Sequence, residues 1–281
     1  MNVQRSETAK AVALSITILV VFLLGWHAYV MSQHGPAANM DPELAALLGP
    51  QAKGQSALPT PAEVGGVIWG HIIDPFYDAG PNDKGVGIQL AYSIFRVLTG
   101  FFLAALIAIP LGFLVGMSSI AQRALNPYIQ LLRPVSPLAW MPLALYTIKD
   151  SETSSIFVIF ICSIWPMLIN TTFGVASVRK EWINVARTLE VKSLRTAWRV
   201  ILPAAAPTIV TGMRISIGIA WLVIIAAEML VGGTGIGYFV WNEWNNLSIT
   251  GVISAIFFIG VVGMVLDIFF GLISRFVAYA E

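Results

Sequence analysis

The sequence contains little charge, few histidines and a single cysteine. Charged residues make up 11% of its 281 positions, whereas a soluble domain carries roughly 25%, so a soluble globular protein is a poor interpretation. Cys162 has no partner within the chain for a disulfide, and His27, His34 and His71 are too widely spaced to predict a metal site. We therefore expect no disulfide, metal or cofactor in this chain.

The sequence also lacks the motifs of an ATPase or a membrane enzyme. It contains no G-x-x-x-x-G-K-[ST] motif, whose backbone N–H groups and lysine bind phosphates. A glycine-rich run, GGTGIG at residues 232–237, has no lysine and is interpreted as a flexible turn between two apolar segments. Asp, Glu and His, or Ser and Lys, form no cluster of the kind that a membrane active site requires. We therefore predict that the chain is not an enzyme and that any ATP is hydrolysed elsewhere.

Long apolar segments are what the sequence has instead. Hydrophobic residues make up 57% of it, and the mean hydropathy is +0.79. About 20 apolar residues cross a bilayer as a helix, and six segments qualify: 11–30, 90–116, 128–148, 154–176, about 207–231 and 252–273. The third is interrupted by Pro134, Pro137 and Pro142, and the first is too long for a signal peptide. The pattern predicts an all-α polytopic membrane protein with six transmembrane helices.

Lysine and arginine predict the orientation, because cytoplasmic loops carry an excess of both. With the N-terminus inside, the inner loops hold Arg5, Lys10, Arg123, Arg275 and six basic residues between Arg179 and Arg199, whereas the outer loops hold Lys53, Lys84 and Lys149. We predict that both termini are cytoplasmic. The expected organisation is an N-terminal segment with the first helix (1–31), an outer loop with a short amphipathic helix (32–88) and a core of five helices (89–281).

One basic stretch, NVARTLEVKSLRTAWRVILP at residues 184–203, stands out in this apolar chain. As a single helix it would place Val191, Leu194, Trp198 and Ile201 on one face. The adjacent face would then carry three basic residues, Lys192, Arg195 and Arg199. Such a helix either lies on the anionic inner leaflet or docks onto a cytoplasmic partner, and its chemistry does not separate the two.

The same stretch resembles the EAA loop of ABC importer permeases, whose pattern is E-A-A-x3-G-x9-I-x-L-P. The matching positions are Ala186, Leu202 and Pro203, with Val200 in place of Ile, and the departures are Asn184, Val185 and Glu190. The flanking segments, among them LLRPVSPLAWMPLAL and GMRISIGIAWLVIIAAEMLVGGTGIGYFVWNEWN, resemble the permeases of nitrate, bicarbonate and cyanate importers, which are related to sulfonate and taurine permeases. The resemblance covers about residues 64–278, and Asn-Val-Ala is usual at the start of the loop in that subfamily.

This resemblance implies a type I ABC importer permease fold with a cytoplasmic coupling helix in an EAA-like loop at 177–203. It implies two copies of the chain around a path, two cytoplasmic subunits that bind ATP and Mg, and a periplasmic binding protein that delivers the substrate. Coupling would fall to Asn184, Val185, Ala186, Arg187, Glu190, Leu202 and Pro203. The implied cargo is a small inorganic anion, with nitrate or nitrite first and bicarbonate, cyanate or an organosulfonate as alternatives. Membrane lipid is an expected partner and nucleic acid is not.

Polar groups inside apolar segments are candidates for the path, because burying an ionisable group there is costly. We predict Arg133, Trp140, Asn170, Arg214 and Glu228, with packing between helices as the alternative role. Arg133 and Arg214 lie at a similar depth, where Asp267 could pair with them or they could supply positive potential for an anion. Arg96 is expected to extend to the membrane surface. A passive channel or secondary transporter is the competing class, and it would need no docking helix.

Overall fold

The computed structural model describes residues 2–33, 58–80 and 82–277, which are almost entirely helical. The helices are α1 (Asn2–Gln33), α2 (Pro61–Ile73), α3 (Val86–Gly116), α4 (Ser119–Leu132), α5 (Pro137–Ile148), α6 (Ser151–Ala176), α7 (Lys180–Thr188), α8 (Ser193–Thr196), α9 (Leu202–Val231), α10 (Ile236–Asn245) and α11 (Ile249–Val277). Two short antiparallel strands, β1 (Asp78–Gly80) and β2 (Asp83–Lys84), form a hairpin before α3. A π-helical turn (Ala197–Ile201) joins α8 to α9.

The chain divides into two compact units, of which the first comprises residues 1–74 and 243–254. Helix α2 begins with a capping box, in which the Thr60 side chain accepts from the Glu63 N–H and the Glu63 carboxylate accepts from the Thr60 N–H. Pro61 occupies the first turn, where its missing N–H costs nothing. The sequence analysis placed a short amphipathic helix in the segment 32–88, and α2 lies within it. Residues 34–57 and 81 of the predicted outer loop, including His34 and Lys53, lie outside the described residues.

The second unit comprises residues 75–242 and 255–281 and contains the main apolar core. In it α6 packs along both α3 and α9. Two glycines of α3 allow the close approach: a Cβ at Gly100 would lie 2.7 Å from Ile159 Cγ2, and one at Gly112 would lie 2.8 Å from Thr171 Cβ. Small residues at helix contacts are typical of membrane bundles, because they let backbones come close.

Within the described residues, five helices are long and apolar enough to cross a membrane: Ala9–Ser32, Val86–Gly116, Ser151–Ala176, Ser193–Val231 and Ile249–Val277. They confirm the all-α multi-pass prediction. The third predicted span is different, because it is divided into α4, which ends at Leu132, and α5, a 12-residue helix that begins at Pro137. Pro134 and Pro137 explain the break, since each lacks a backbone N–H and disfavours helix in the residue before it.

Candidate coupling segment, cavities and buried ion pair

The basic segment is two helices joined by a turn, so the prediction of one continuous helix is wrong. Helix α7 ends in a Schellman motif: the Val191 N–H donates to the Ala186 carbonyl over 3.0 Å, and the Glu190 N–H donates to the Arg187 carbonyl over 2.9 Å. Glu190 itself has φ +51°, in the left-handed region. This is the position where the EAA pattern has glycine, the residue that adopts positive φ without a steric cost. The glycine of the EAA pattern therefore already marked Glu190 as the position where the helix ends.

We predict that Glu190→Gly raises the free energy of unfolding by about 1 kcal/mol, because it relieves the strain at positive φ. Glu190→Val should lower it, because a β-branched residue tolerates this conformation poorly. Melting curves of the purified protein with each substitution measure the effect. Equal stability of the two variants would contradict the geometry. A loss of transport in Glu190→Gly without a loss of stability would assign the carboxylate itself a role at an interface.

Pro203 explains the π-helical turn that precedes it and involves Leu202. Pro203 has no N–H for the carbonyl four residues earlier, and its ring clashes with that carbonyl in a regular helix. The chain responds with the π-helical turn, in which the Leu202 N–H donates to the Ala197 carbonyl, five residues earlier. Ile201 is buried in a small cluster with Val175, Ala205 and Ile209. The end of the EAA-like pattern therefore anchors the segment to the start of α9.

Helix α7 has an inner and an outer face. Ala186 is buried, and Ile183 packs against the small cluster. An adjacent face exposes three large apolar side chains at helical spacing, Trp182 (48% exposed), Val185 (58%) and Leu189 (70%). Asn184 and Arg187 are exposed as well. The apolar outer face was not identified from the sequence, although the spacing i, i+3, i+7 was available as a signal.

The face predicted from Val191 to Ile201 is only partly buried. Ile201 is 5% exposed, whereas Leu194 is 73% and Trp198 is 65% exposed. Leu194 and Trp198 line an apolar cavity of about 640 Å³ with Pro110, Phe113 and other residues of α3. The basic residues Lys192, Arg195 and Arg199 are exposed.

Three of the predicted path residues line one cavity in the second unit. Arg133, Trp140 and Asn170 face a space of about 260 Å³, together with Cys162 and Trp165. The break between α4 and α5 places Arg133 there. The amide Nδ2 of Asn170 donates to the Pro166 carbonyl over 2.8 Å. No sequence pattern relates these residues, because they come from three different elements.

Arg214 is paired with Asp267, as one of the two predicted alternatives stated. Its Nε and Nη2 donate to the two carboxylate oxygens over 2.7 and 2.6 Å, a bidentate pair between α9 and α11. Arg133 does not share this carboxylate. The matching depth of Arg214 and Asp267 in their segments was a sufficient signal for the pair.

Glu228 and Arg96 form a second ion pair, which is buried, so the expectation that Arg96 extends to the membrane surface is wrong. Arg96 Nη1 lies 2.8 Å from Glu228 Oε1, with the side chains 10% and 1% exposed. The same nitrogen donates to the Thr234 carbonyl over 2.6 Å, and the Ser93 hydroxyl lies 2.8 Å from Glu228 Oε2. If the Arg96 and Glu228 side chains were buried apart from each other, two charges would be left uncompensated, which is strongly unfavourable. The sequence analysis gave Arg96 a different role and did not identify Ser93.

The glycine-rich run is held by hydrogen bonds to Glu228 and to residues beside the ion pair, so it is not the flexible turn that was expected. The Gly235 N–H donates to Gln89 over 2.6 Å, the Ile236 N–H to the Ser93 hydroxyl over 2.9 Å and the Gly237 N–H to Glu228 over 3.0 Å. A Cβ at Gly235 would overlap the Glu228 carboxylate, and one at Gly237 would overlap the Ile225 carbonyl oxygen. The glycines therefore permit a close approach to buried acceptors.

Comparison with known protein families gives a match over most of this unit. The family described as binding-protein-dependent transport system inner membrane component matches residues 108–279. The nitrate import permease protein NrtB of Synechocystis sp. is 45% identical over 226 residues, covering 80% of this chain and 82% of that protein. The bicarbonate transport system permease protein CmpB of the same organism is 46% identical over 194 residues, covering 69% of each chain.

Solved structures agree on the fold. A structure of the MetNI methionine ABC transporter in an inward-facing conformation has a TM-score of 0.60 at 14% identity, covering 67% of this chain and 94% of that one. An amino acid ABC transporter gives a TM-score of 0.56 at 17% identity, with 66% and 91% covered. These likenesses confirm a type I importer permease fold for the helical core.

Proposed function

The chain belongs to the binding-protein-dependent transport system inner membrane component family, and we propose that it is the membrane subunit of an ATP-driven importer for nitrate or nitrite. The observation that carries the substrate is the 45% identity to a nitrate import permease over 80% of the chain. Bicarbonate is the second candidate, because a bicarbonate permease is equally similar over a shorter length. Cyanate and organosulfonates remain alternatives on the sequence resemblance.

In this proposal the subunit is a conduit without chemistry of its own. Two copies enclose the path, two cytoplasmic subunits bind and hydrolyse ATP with Mg, and a periplasmic protein delivers the anion. The family supports an ATPase partner and a binding-protein partner; the numbers of subunits rest on the resemblance of the EAA-like loop. The chain would span the inner membrane of a bacterium with both termini in the cytoplasm. Residues 1–31, 32–88 and 89–281 would be its anchor, outer loop and permease core.

The outer face of α7 supports the assignment of the coupling site. Trp182, Val185 and Leu189 expose large apolar surface. The charge distribution predicts that their segment is cytoplasmic. Exposed apolar groups of this kind mark contacts with another protein or with the membrane. We propose that this face enters the ATPase subunit, with Asn184 and Arg187 as polar neighbours. Ala186, Leu202 and Pro203 would then transmit movement, because they tie α7 and the π-helical turn to the transmembrane helix α9.

The exposed basic residues Lys192, Arg195 and Arg199 suit a different partner. They follow the Glu190 turn, beside the start of the apolar helix. Near an anionic membrane surface each basic residue contributes roughly 1 kcal/mol. We propose that they contact lipid headgroups, so that the segment serves both partners, the ATPase before the turn and lipid after it.

The proposed path includes Arg133, Trp140 and Asn170, which share one cavity. Arg214 and Glu228 are also predicted to contribute to it. For these two, the ion pairs with Asp267 and Arg96 supply a second role, since their charges are compensated within the chain and tie helices together.

Uptake by the reconstituted complex tests the substrate. Proteoliposomes containing this chain, its ATPase subunit and its binding protein are given labelled nitrate, and a tenfold excess of nitrite, bicarbonate, cyanate or taurine is added as competitor. We expect nitrate uptake to be strong and nitrite to compete best. Uptake of labelled bicarbonate in the absence of nitrate uptake would assign the chain to the second candidate. If neither nitrate nor bicarbonate is taken up, the proposed substrate assignment is overturned.

A further inference from the structure

Two cavities of the second unit meet at Arg133. The smaller one, of about 260 Å³, contains Trp140, Trp165 and Asn170, and the larger one, of about 660 Å³, is lined by amides and a hydroxyl from Gln122, Asn126, Gln130 and Thr172. Arg133 and Ile169 line both. Arg133 therefore lies where a cavity with amide side chains in its lining meets a smaller one lined by two tryptophans.

Arg133 differs from Arg96 and Arg214, the two arginines within the long apolar helices α3 and α9. Arg96 has a carboxylate at 2.8 Å and Arg214 has one at 2.6 Å. No salt bridge joins Arg133 to a carboxylate within residues 2–33, 58–80 and 82–277, and no Asp or Glu lines either cavity. Arg133 is exposed at the end of α4, so its side chain is accessible to a solute. At this position the chain supplies the cation and leaves the place of the anion to something else.

We propose that Arg133 forms an anion-binding site with the aromatic walls of Trp140 and Trp165, and that its ligand is a small monovalent oxyanion. This deepens the proposed function, on which it rests, by naming the residue that selects the cargo by charge inside the membrane. A guanidinium presents parallel N–H donors that match two oxygens of a planar oxyanion. The absence of carboxylates from the lining of both described cavities keeps the site attractive to anions along its length.

Cys162 provides a reporter inside the same cavity. It is the only cysteine of the chain, is half-buried and lines the smaller cavity with Arg133. The experiment compares the rates at which an anionic reagent, sulfonatoethyl methanethiosulfonate, and a cationic one, trimethylammonioethyl methanethiosulfonate, modify Cys162 in the purified complex. Mass spectrometry of the Cys162 peptide gives the extent of modification separately from cysteines of other subunits.

In the protein without substitutions, we expect the anionic reagent to modify Cys162 faster than the cationic one does. Sodium nitrate should slow both reactions more than sodium gluconate does. Arg133→Gln should reduce the anionic-to-cationic rate ratio by roughly tenfold, the lower end of what a focused positive potential contributes, and should abolish protection by nitrate. Arg133→Lys should keep the ratio. Arg123→Gln is the matched control, because Arg123 is an exposed arginine of the same helix α4 that lines neither cavity.

Two outcomes would overturn the site: the same rate ratio in Arg133→Gln and in the protein without substitutions, or equal protection by gluconate and nitrate. The labelling needs no transport, so it separates this inference from the proposed function. A complex that imports no nitrate or bicarbonate but shows the Arg133-dependent ratio would keep the site and lose the importer assignment. A complex that imports nitrate but shows no Arg133-dependent rate ratio would keep the importer assignment and lose the site.

Discussion

Replacing Arg96 by methionine is expected to lower the free energy of unfolding by about 3–5 kcal/mol, because it leaves a buried carboxylate without its counter-ion. Glu228 is 1% exposed, and Arg96 is the cation that contacts it. Ser93 and the Gly237 N–H would remain as hydrogen-bond partners but carry no charge. Unfolding in mixed micelles with increasing sodium dodecyl sulfate, followed by circular dichroism, measures the loss.

The double variant Arg96→Met with Glu228→Gln provides the control. It removes both charges, so it should recover a large part of the stability that the single variant loses, because the cost of the single variant is mainly the uncompensated charge. The glutamine oxygen can still accept from the Gly237 N–H. Additive losses in the double variant, or a loss of less than about 1 kcal/mol in Arg96→Met, would show that the pair contributes as little as a surface salt bridge.

Replacing Val185 and Leu189 by serine is expected to abolish ATP-dependent uptake while the protein stays folded. Both side chains are largely exposed, at 58% and 70%, so their removal deletes little of the chain's own packing. If they are anchors of the interface with the ATPase subunit, each truncation costs roughly 2 kcal/mol of binding, or about thirtyfold in affinity. Co-purification of the ATPase subunit and nitrate uptake measure the two consequences.

Ile120→Ser is the matched control for this prediction. Ile120 is 79% exposed and lies at the start of α4, near Arg123 and so on the same predicted side of the membrane, but outside α7. It should leave both the ATPase association and uptake unchanged. If the Val185 and Leu189 double variant binds the ATPase subunit as well as Ile120→Ser does, the outer face of α7 is not the docking surface.

The two ion pairs show what could be predicted from the sequence and what could not. Arg214 and Asp267 were paired correctly, because counting residues from the inner ends of their segments gives a similar depth. The same counting from the outer ends would have matched Arg96 with Glu228, but Arg96 was interpreted by its closeness to a helix end alone. The hydrogen bonds from the glycine-rich run were beyond prediction, since backbone donors carry no signature in the sequence.

The single helix predicted for the basic segment is wrong for a physical reason, and the predicted path residues meet for a reason that the sequence does not specify. Periodicity supported one helix across Glu190, but a backbone position that needs positive φ has priority over side-chain pattern, and the glycine of the family pattern marked that position. The meeting of Arg133, Trp140 and Asn170 depends on the angle between α4 and α5, which Pro134 and Pro137 permit without specifying. Local sequence therefore indicated where the chain breaks and left open what the break brings together.

Accumulation of nitrate against its gradient is the most direct test of the claim that this chain is the conduit of an ATP-driven importer. The experiment follows the internal nitrate concentration of proteoliposomes that contain the complete complex. ATP is supplied on the side that the ATPase subunits face, and binding protein is supplied on the opposite side. The account predicts internal nitrate well above the external concentration, only with hydrolysable ATP and binding protein present, and none above it in the Val185 and Leu189 double variant. Nitrate that merely equilibrates, at the same rate with and without ATP, would contradict the account and identify a passive channel.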